Sequence, residues 1–285
     1  MLRALLLSSR PLSWVNTAYP FAAAYLLTEG RIDAAWIVGT LYFLIPYNLA
    51  MYGINDVFDY ESDLRNPRKG GVEGAVLDRS LHRVTLWAVA VTNVPFLVAL
   101  VVLGGPVSWL VLAISLVAVV AYSAPGLRVK ERPFLDSLTS STNFVSPAVY
   151  GLALSGAEPT PPLVALLGAF FLWGIASHAF GAVQDVEADR AGGIASVATA
   201  IGARRTVVLA LAAYVAAGLL LLPTDWPGPL AAILVLPYAL NVLPFLRVTD
   251  ADAERANTGW RRFLWLNYAV GFPVTLLLIW YAVLR

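Results

Sequence analysis

The sequence predicts an all-α integral membrane protein of nine transmembrane helices, and three observations carry that prediction. Hydrophobic residues fill 59% of the 285 positions and charged residues only 13%, against roughly 25% charged in an average soluble domain. The apolar residues come in runs close to the roughly 20 that one bilayer crossing needs. The basic residues gather in alternate loops. Together these exclude a soluble globular domain. The longest loop runs only from Asp63 to Leu81, so one membrane domain over 1–285 is expected, with any chemistry inside the bundle or at its inner rim.

Each helix is bounded by charged, proline or glycine residues that a span does not tolerate in its middle. The first, 12–28, follows Pro11 and contains Pro20. Before it, Ala4 to Leu7 is too short an apolar core for a cleaved signal peptide, so this first span is expected to stay as an anchor. The second, 35–57, starts after Asp33 and ends in an acidic run, and the third, 81–103, ends at Gly104. The fourth, 107–123, follows Pro106, and the fifth, 137–155, lies between Asp136 and Gly156. The sixth, 162–184, runs from Pro161 to Asp185, and the seventh, 205–222, from Arg204 to Pro223. The eighth, 228–246, ends at Arg247, and the ninth, 262–284, follows Arg261.

Charge tests this division independently, because cytoplasmic loops collect Lys and Arg. With nine spans, only Arg31 and Arg285 of the 19 basic residues fall on one side. A missed span would scramble that split, so the N-terminus is expected in the cytoplasm. The chain has no cysteine, so any metal must be held by oxygen or imidazole. A net charge of +1 gives no reason to expect nucleic acid as a partner.

The acidic residues are not spread evenly. Asp56, Asp59, Glu61 and Asp63 crowd one window, and Asp185, Glu187 and Asp189 crowd another. Both windows fall where a span reaches the cytoplasmic rim, and ionisable groups there read as functional. Asn55, Asp59 and Asp63 recur every four residues, which on a helix stacks oxygen donors along one face with about 40° of drift per step. Asp56 can join that face as a further candidate metal ligand, while Glu61 points away. Asp185 and Asp189 repeat the spacing with Glu187 opposite. Two such rows facing each other would hold Mg²⁺, which takes carboxylate oxygens together with phosphate oxygens and water. One offset of 126 residues separates Asp59 from Asp185 and Asp63 from Asp189, a hint of duplication.

The run Asn55-Asp56-Val57-Phe58-Asp59-Tyr60-Glu61-Ser62-Asp63 and the later Asp185-Val186-Glu187-Ala188-Asp189 resemble the two aspartate-rich motifs of the UbiA superfamily of intramembrane prenyltransferases. Gly192-Gly193, Thr199 and Gly202 extend the likeness. The resemblance implies transfer of an isoprenyl group from an allylic diphosphate, with Asn55, Asp59, Asp63, Asp185 and Asp189 binding Mg²⁺ and, through it, diphosphate. Breaking an allylic C–O bond puts negative charge on the departing diphosphate, so fixed cations are expected nearby. Arg68 and Lys69 follow the first motif, and Arg128, Lys130 and Arg132 occupy the loop after the fourth span. Arg68, Lys69, Arg128 and Lys130 are the candidate diphosphate clamp, although positive-inside bias alone also places basic residues there. The family often has Tyr and Lys four apart in the later loop, whereas here Tyr122 is followed at that distance by Gly126.

His178 shares the face of Asp185 deeper in the membrane, as Asn48 and Tyr52 share that of Asn55, and Asn143 begins the fifth span. These line a cavity or make polar contacts between helices.

Tyr52-Gly53-Ile54 before the first motif, Asn66-Pro67-Arg68-Lys69-Gly70-Gly71 after it, and His178-Ala179-Phe180-Gly181-Ala182-Val183-Gln184 before the second resemble the lycopene elongase branch, which makes C50 carotenoids. That resemblance implies dimethylallyl diphosphate as donor and lycopene as acceptor, with a multi-pass enzyme in the cell membrane opening to the cytoplasm. Two alternatives stay open: a relative that prenylates an aromatic quinone precursor or a lipid headgroup, and, from another class, a polytopic cation transporter.

Overall fold

The apolar runs read from the sequence fold as helices in the computed structural model, which describes residues 1–64 and 77–284. In chain order they are α1 (Leu2–Ser8), α2 (Trp14–Glu29), α3 (Ala34–Leu44), α4 (Pro46–Phe58), α5 (Tyr60–Asp63), α6 (Arg79–Leu103) and α7 (Pro106–Ser123). Then follow α8 (Leu135–Leu154), α9 (Pro161–Val183), α10 (Val186–Gly192), α11 (Val197–Ile201), α12 (Ala203–Leu221), α13 (Leu236–Val242) and α14 (Asn257–Val283). Short 3₁₀ stretches include Val129–Glu131, Gly228–Val235 and Asp250–Ala256. Among the described residues there is no strand.

Seven helical segments among the described residues are long and apolar enough to cross a bilayer: Ala34–Phe58, Arg79–Leu103, Pro106–Ser123, Pro161–Val183, Ala203–Leu221, Gly228–Phe245 and Asp250–Val283. The other two expected spans are the 16-residue α2 and the 20-residue α8, whose first half is rich in Ser and Thr. The expected second span is broken at Ile45 because Pro46 has no N–H to continue the ladder. Asn48 repairs the break: its Nδ2 donates to the carbonyls of Phe43 at 2.8 Å and Leu44 at 3.1 Å, and to Thr17 Oγ1 at 2.7 Å. Asn48 is thus a contact between helices.

The chain forms two compact units. The first comprises Met1–Val129 and Thr142–Ala157, the second Lys130–Ser141 and Glu158–Arg285, so that α8 contributes to both. The first unit is built on aromatic rings: Phe43 lies 5.2 Å from Phe21, 5.1 Å from Tyr47 and 4.9 Å from Tyr42 between ring centroids. Gly39 lets Phe21 reach this cluster, since a Cβ there would stand 2.0 Å from Phe21 Cζ. The second unit stacks Tyr214 on Tyr238 at 5.5 Å and Trp260 on Phe263 at 5.0 Å. Gly174 admits Ser141, whose Oγ donates to the Phe171 carbonyl at 2.7 Å. Such tight ring and small-residue contacts suit helices in lipid, where close packing replaces the hydrophobic drive between them.

Candidate active site

Each acidic motif sits where a long helix stops and a short one begins. In the first unit α4 ends at Phe58, Asp59 takes φ −100° and ψ 3°, and α5 starts at Tyr60. In the second, α9 ends at Val183, Asp185 takes φ −97° and ψ −2°, and α10 starts at Val186. Both aspartates occupy the sparsely allowed bridge between helical and extended backbone, where many active-site residues sit. The four-residue spacing survives the break: the N–H of Asp63 donates to the Asp59 carbonyl at 2.8 Å, and that of Asp189 to the Asp185 carbonyl at 2.8 Å. The carboxylate rows therefore pass through a break, not along one straight helix. One backbone arrangement serves both motifs.

In the first unit Asn55 Nδ2 donates to Asp59 Oδ2 and, at 2.9 Å, to Ser123 Oγ. A carboxylate only accepts, so the amide nitrogen must face Asp59, which leaves Asn55 Oδ1 as the atom able to meet a cation. Asp59 and Asp63 are only 3% and 6% exposed. Arg128 has Nη2 3.6 Å from Asp59 Oδ1, and its Nη1 donates to the Phe58 carbonyl at 3.4 Å. A buried carboxylate is costly unless a charge or hydrogen bonds compensate it, and Arg128 and Asn55 do so here.

Asp56 is turned elsewhere. Its Oδ2 accepts from Ser8 Oγ at 2.7 Å and its Oδ1 from Arg10 Nη2 at 3.1 Å, so the motif divides between neighbouring residues about 100° apart on the helix. Tyr52 lies under the same guanidinium, whose central carbon is 4.3 Å from the ring centroid. Glu61 is exposed and pairs with Arg79. Arg68 and Lys69 lie outside the described residues. Lys130 belongs to the second unit, in the 3₁₀ turn Val129–Glu131.

In the second unit Asp185 and Asp189 are half-buried and Glu187 is exposed. Gln184, next to Asp185, accepts from Asn257 Nδ2 at 2.6 Å. Arg190, next to Asp189, donates to Asp250 Oδ2 at 2.6 Å and to the Thr199 carbonyl at 3.1 Å. Asp250 Oδ1 in turn accepts the N–H of Ala203 at 2.7 Å, which fastens the start of α12. His178 Nδ1 and Ser137 Oγ lie 3.1 Å apart. Beside them the buried Asp136 accepts the N–H groups of Val197 and Ser137, both at 2.7 Å. In the first unit the carbonyl of Asn143 accepts from Tyr47 Oη at 3.0 Å.

Residues 17–268 match the family model described as the UbiA prenyltransferase family. The chain belongs to the UbiA prenyltransferase family. It is 61% identical over 281 residues to a C(50) beta-cyclic carotenoids biosynthesis protein, LbtBC, of Dietzia sp., covering 98% of this chain but only 65% of that protein. It is 55% identical over 278 residues to a lycopene elongase/hydratase of Corynebacterium glutamicum, covering 98% of this chain and 97% of that protein. Its fold is similar to that of a UbiA homolog from Archaeoglobus fulgidus bound to DMAPP and Mg²⁺, with a TM-score of 0.67, 19% identity, and 94% and 98% of the two chains covered. The chain is therefore a multi-pass membrane enzyme, a prenyltransferase, and the transporter alternative falls.

The Archaeoglobus fulgidus homolog was also solved bound to GPP and Mg²⁺. Among the described residues no three or more Asp, Glu, His or Cys side chains gather into a ready-made cage. Mg²⁺ is usually held by one or two carboxylates plus substrate phosphates. The donors in the first unit of this prenyltransferase, Asn55 Oδ1 with the buried Asp59 and Asp63, are hard oxygens only, and they fit the ion.

Sequence reasoning missed several residues that shape the site. Gln184 and Asp136 could have been noticed as polar residues beside a motif and at the head of an expected span. Ser8, Arg10, Ser123 and Asn257 carry no sequence signal of their own.

Proposed function

We propose that this prenyltransferase moves a dimethylallyl group from dimethylallyl diphosphate to the end of lycopene, in a Mg²⁺-dependent reaction that yields C45 and C50 carotenoids. The observation that carries the acceptor is the likeness, over 98% of the chain, to relatives named for lycopene elongation and C50 carotenoid synthesis. The donor is supported by the fold shared with a homolog that binds DMAPP.

The metal-binding residues would be Asn55, Asp59 and Asp63 in the first unit and Asp185 and Asp189 in the second. Bound Mg²⁺ would neutralise charge on the diphosphate oxygens. Asn55 fixes the orientation of Asp59 through its amide. Arg128, 3.6 Å from Asp59, sets a permanent cation beside the carboxylates, so negative charge on the departing diphosphate develops next to a preorganised positive one. Lys130, Arg68 and Lys69 are proposed as further diphosphate-binding residues. When the allylic C–O bond breaks, diphosphate leaves with the electron pair, and the terminal double bond of lycopene forms the new C–C bond. The tertiary cation that results loses a proton or takes up water and releases one. An alkene is a weak nucleophile, so water must be kept from the allylic cation until attack.

Expression in a lycopene-producing host tests the reading. A shift from C40 to C45 or C50 carotenoids is the expected result, and unchanged lycopene with well-inserted protein would overturn it.

A further inference from the structure

The Asp56 carboxylate is 1% exposed and belongs to the acidic motif, and both of its oxygens accept hydrogen bonds from the N-terminal segment. Ser8, itself fully buried, donates to one oxygen and Arg10 to the other. Arg10 adopts φ +49° and ψ 75°, a left-handed conformation uncommon for a residue with a Cβ, which requires support from its surroundings. The support is visible. The guanidinium lies over Tyr52, one turn before Asp56 on α4, and Trp14 Nε1 donates to the Ser9 carbonyl at 3.0 Å beside the turn. The N-terminal segment is thus fastened to the last turn of α4 by a charge pair, a hydroxyl and a ring contact, and that same turn carries Asn55 and Asp59.

We propose that Arg10 and Ser8 are positioning residues. By gripping Asp56 they set the rotation of the end of α4, and hence the placement of Asn55 and Asp59; Asp56 acts through this grip and is not itself a metal ligand. The role deepens, and rests on, the reading of Asn55 and Asp59 as metal-binding residues given above.

A buried charge pair makes the test sharp. Removing one partner strands a buried charge, whereas replacing both with apolar residues of similar volume is often neutral. The variants are Arg10→Met, Asp56→Leu, the double variant and Arg10→Lys, each compared with Asp59→Asn. Two measurements are made on purified full-length protein: Mn²⁺ affinity by electron paramagnetic resonance, and turnover of labelled dimethylallyl diphosphate with lycopene. Each single apolar variant is expected to weaken Mn²⁺ binding and turnover by about tenfold or more, since small misplacements of a site are costly. The double variant is expected to return to within about threefold of the parent, and Arg10→Lys to keep most of the function, as coupled residues do in such cycles.

A double variant no better than Asp56→Leu would make Asp56 a ligand and overturn the proposal. Single variants indistinguishable from the parent would overturn it as well. If the apolar variants do not fold, Ser8→Ala takes their place: weaker Mn²⁺ binding, with the melting temperature little changed, supports the proposal, and unaltered binding refutes it. The Mn²⁺ measurement does not depend on the acceptor, so coupling in a parent that leaves lycopene unchanged would sink the acceptor reading alone.

Discussion

Replacing Asn55 by Ala should cost far more than replacing its other partner, Ser123. Asn55 Nδ2 holds two acceptors, the Asp59 carboxylate and Ser123 Oγ. A hydrogen bond to a charged group contributes about 1.5–3 kcal/mol and one between neutral groups about 1 kcal/mol. Asn55→Ala loses both, and with them the oxygen proposed to meet the metal, so about 3 kcal/mol of site organisation disappears. Expressed in the transition state, that is a loss of roughly a hundredfold in kcat/KM. Ser123→Ala leaves Asn55 bonded to Asp59 and should lose only about fivefold. The assay is release of labelled diphosphate from dimethylallyl diphosphate, with lycopene in mixed micelles, across a Mg²⁺ titration. Equal losses in the two variants, or an Asn55→Ala enzyme within about threefold of the parent, would refute the reasoning.

Four other outcomes are expected. Asp59→Ala and Asp185→Ala should abolish carotenoid elongation while the protein still inserts; retention of half the activity by either would remove its metal role. Asp136→Ala should orphan the buried N–H of Val197, costing about 1–3 kcal/mol, and lower the melting temperature in detergent by roughly 2–10 °C; an unchanged melting temperature would contradict the structural role of that hydrogen bond. Gly39→Ala should destabilise by about 1–3 kcal/mol through the clash with Phe21, and Phe21→Leu in the same chain should recover part of the loss, which thermal melts of the three variants would reveal. The Asp33 carboxyl is held below its ordinary value of 3.8, chiefly by the Trp36 N–H and also by the Tyr25 hydroxyl and Arg31. Its contribution to stability is therefore complete above that value and lost as pH falls through the lower folded one. Asp33→Asn should flatten that acid limb in a pH series of melts.

Much of the architecture was legible because it is written in local properties. The run 107–123 became Pro106–Ser123, and 162–184 became Pro161–Val183, since proline starts a helix well and a span must be apolar along its length. Less legible was the break within 35–57. Pro46 lies inside that run, but a proline inside α2, Pro20, leaves that helix continuous, so the residue type alone does not decide. The 3₁₀ stretch Gly228–Val235 was hidden by the same apolarity that marked it as a span.

The sequence by itself determined that the chain crosses a membrane as helices and that carboxylates recur at four-residue spacing near helix ends, because run length and spacing are properties of neighbouring residues. The tertiary structure alone decided what each carboxylate meets. Asn55 and Asp56 are adjacent, yet one joins Ser123, 68 residues on, while the other joins Arg10, 46 residues back. Neighbours on a helix point about 100° apart, so packing by distant segments chooses their partners. The bridge-region break at Asp59 and Asp185 was likewise invisible, since nothing in the spacing says whether the turn carrying it is straight.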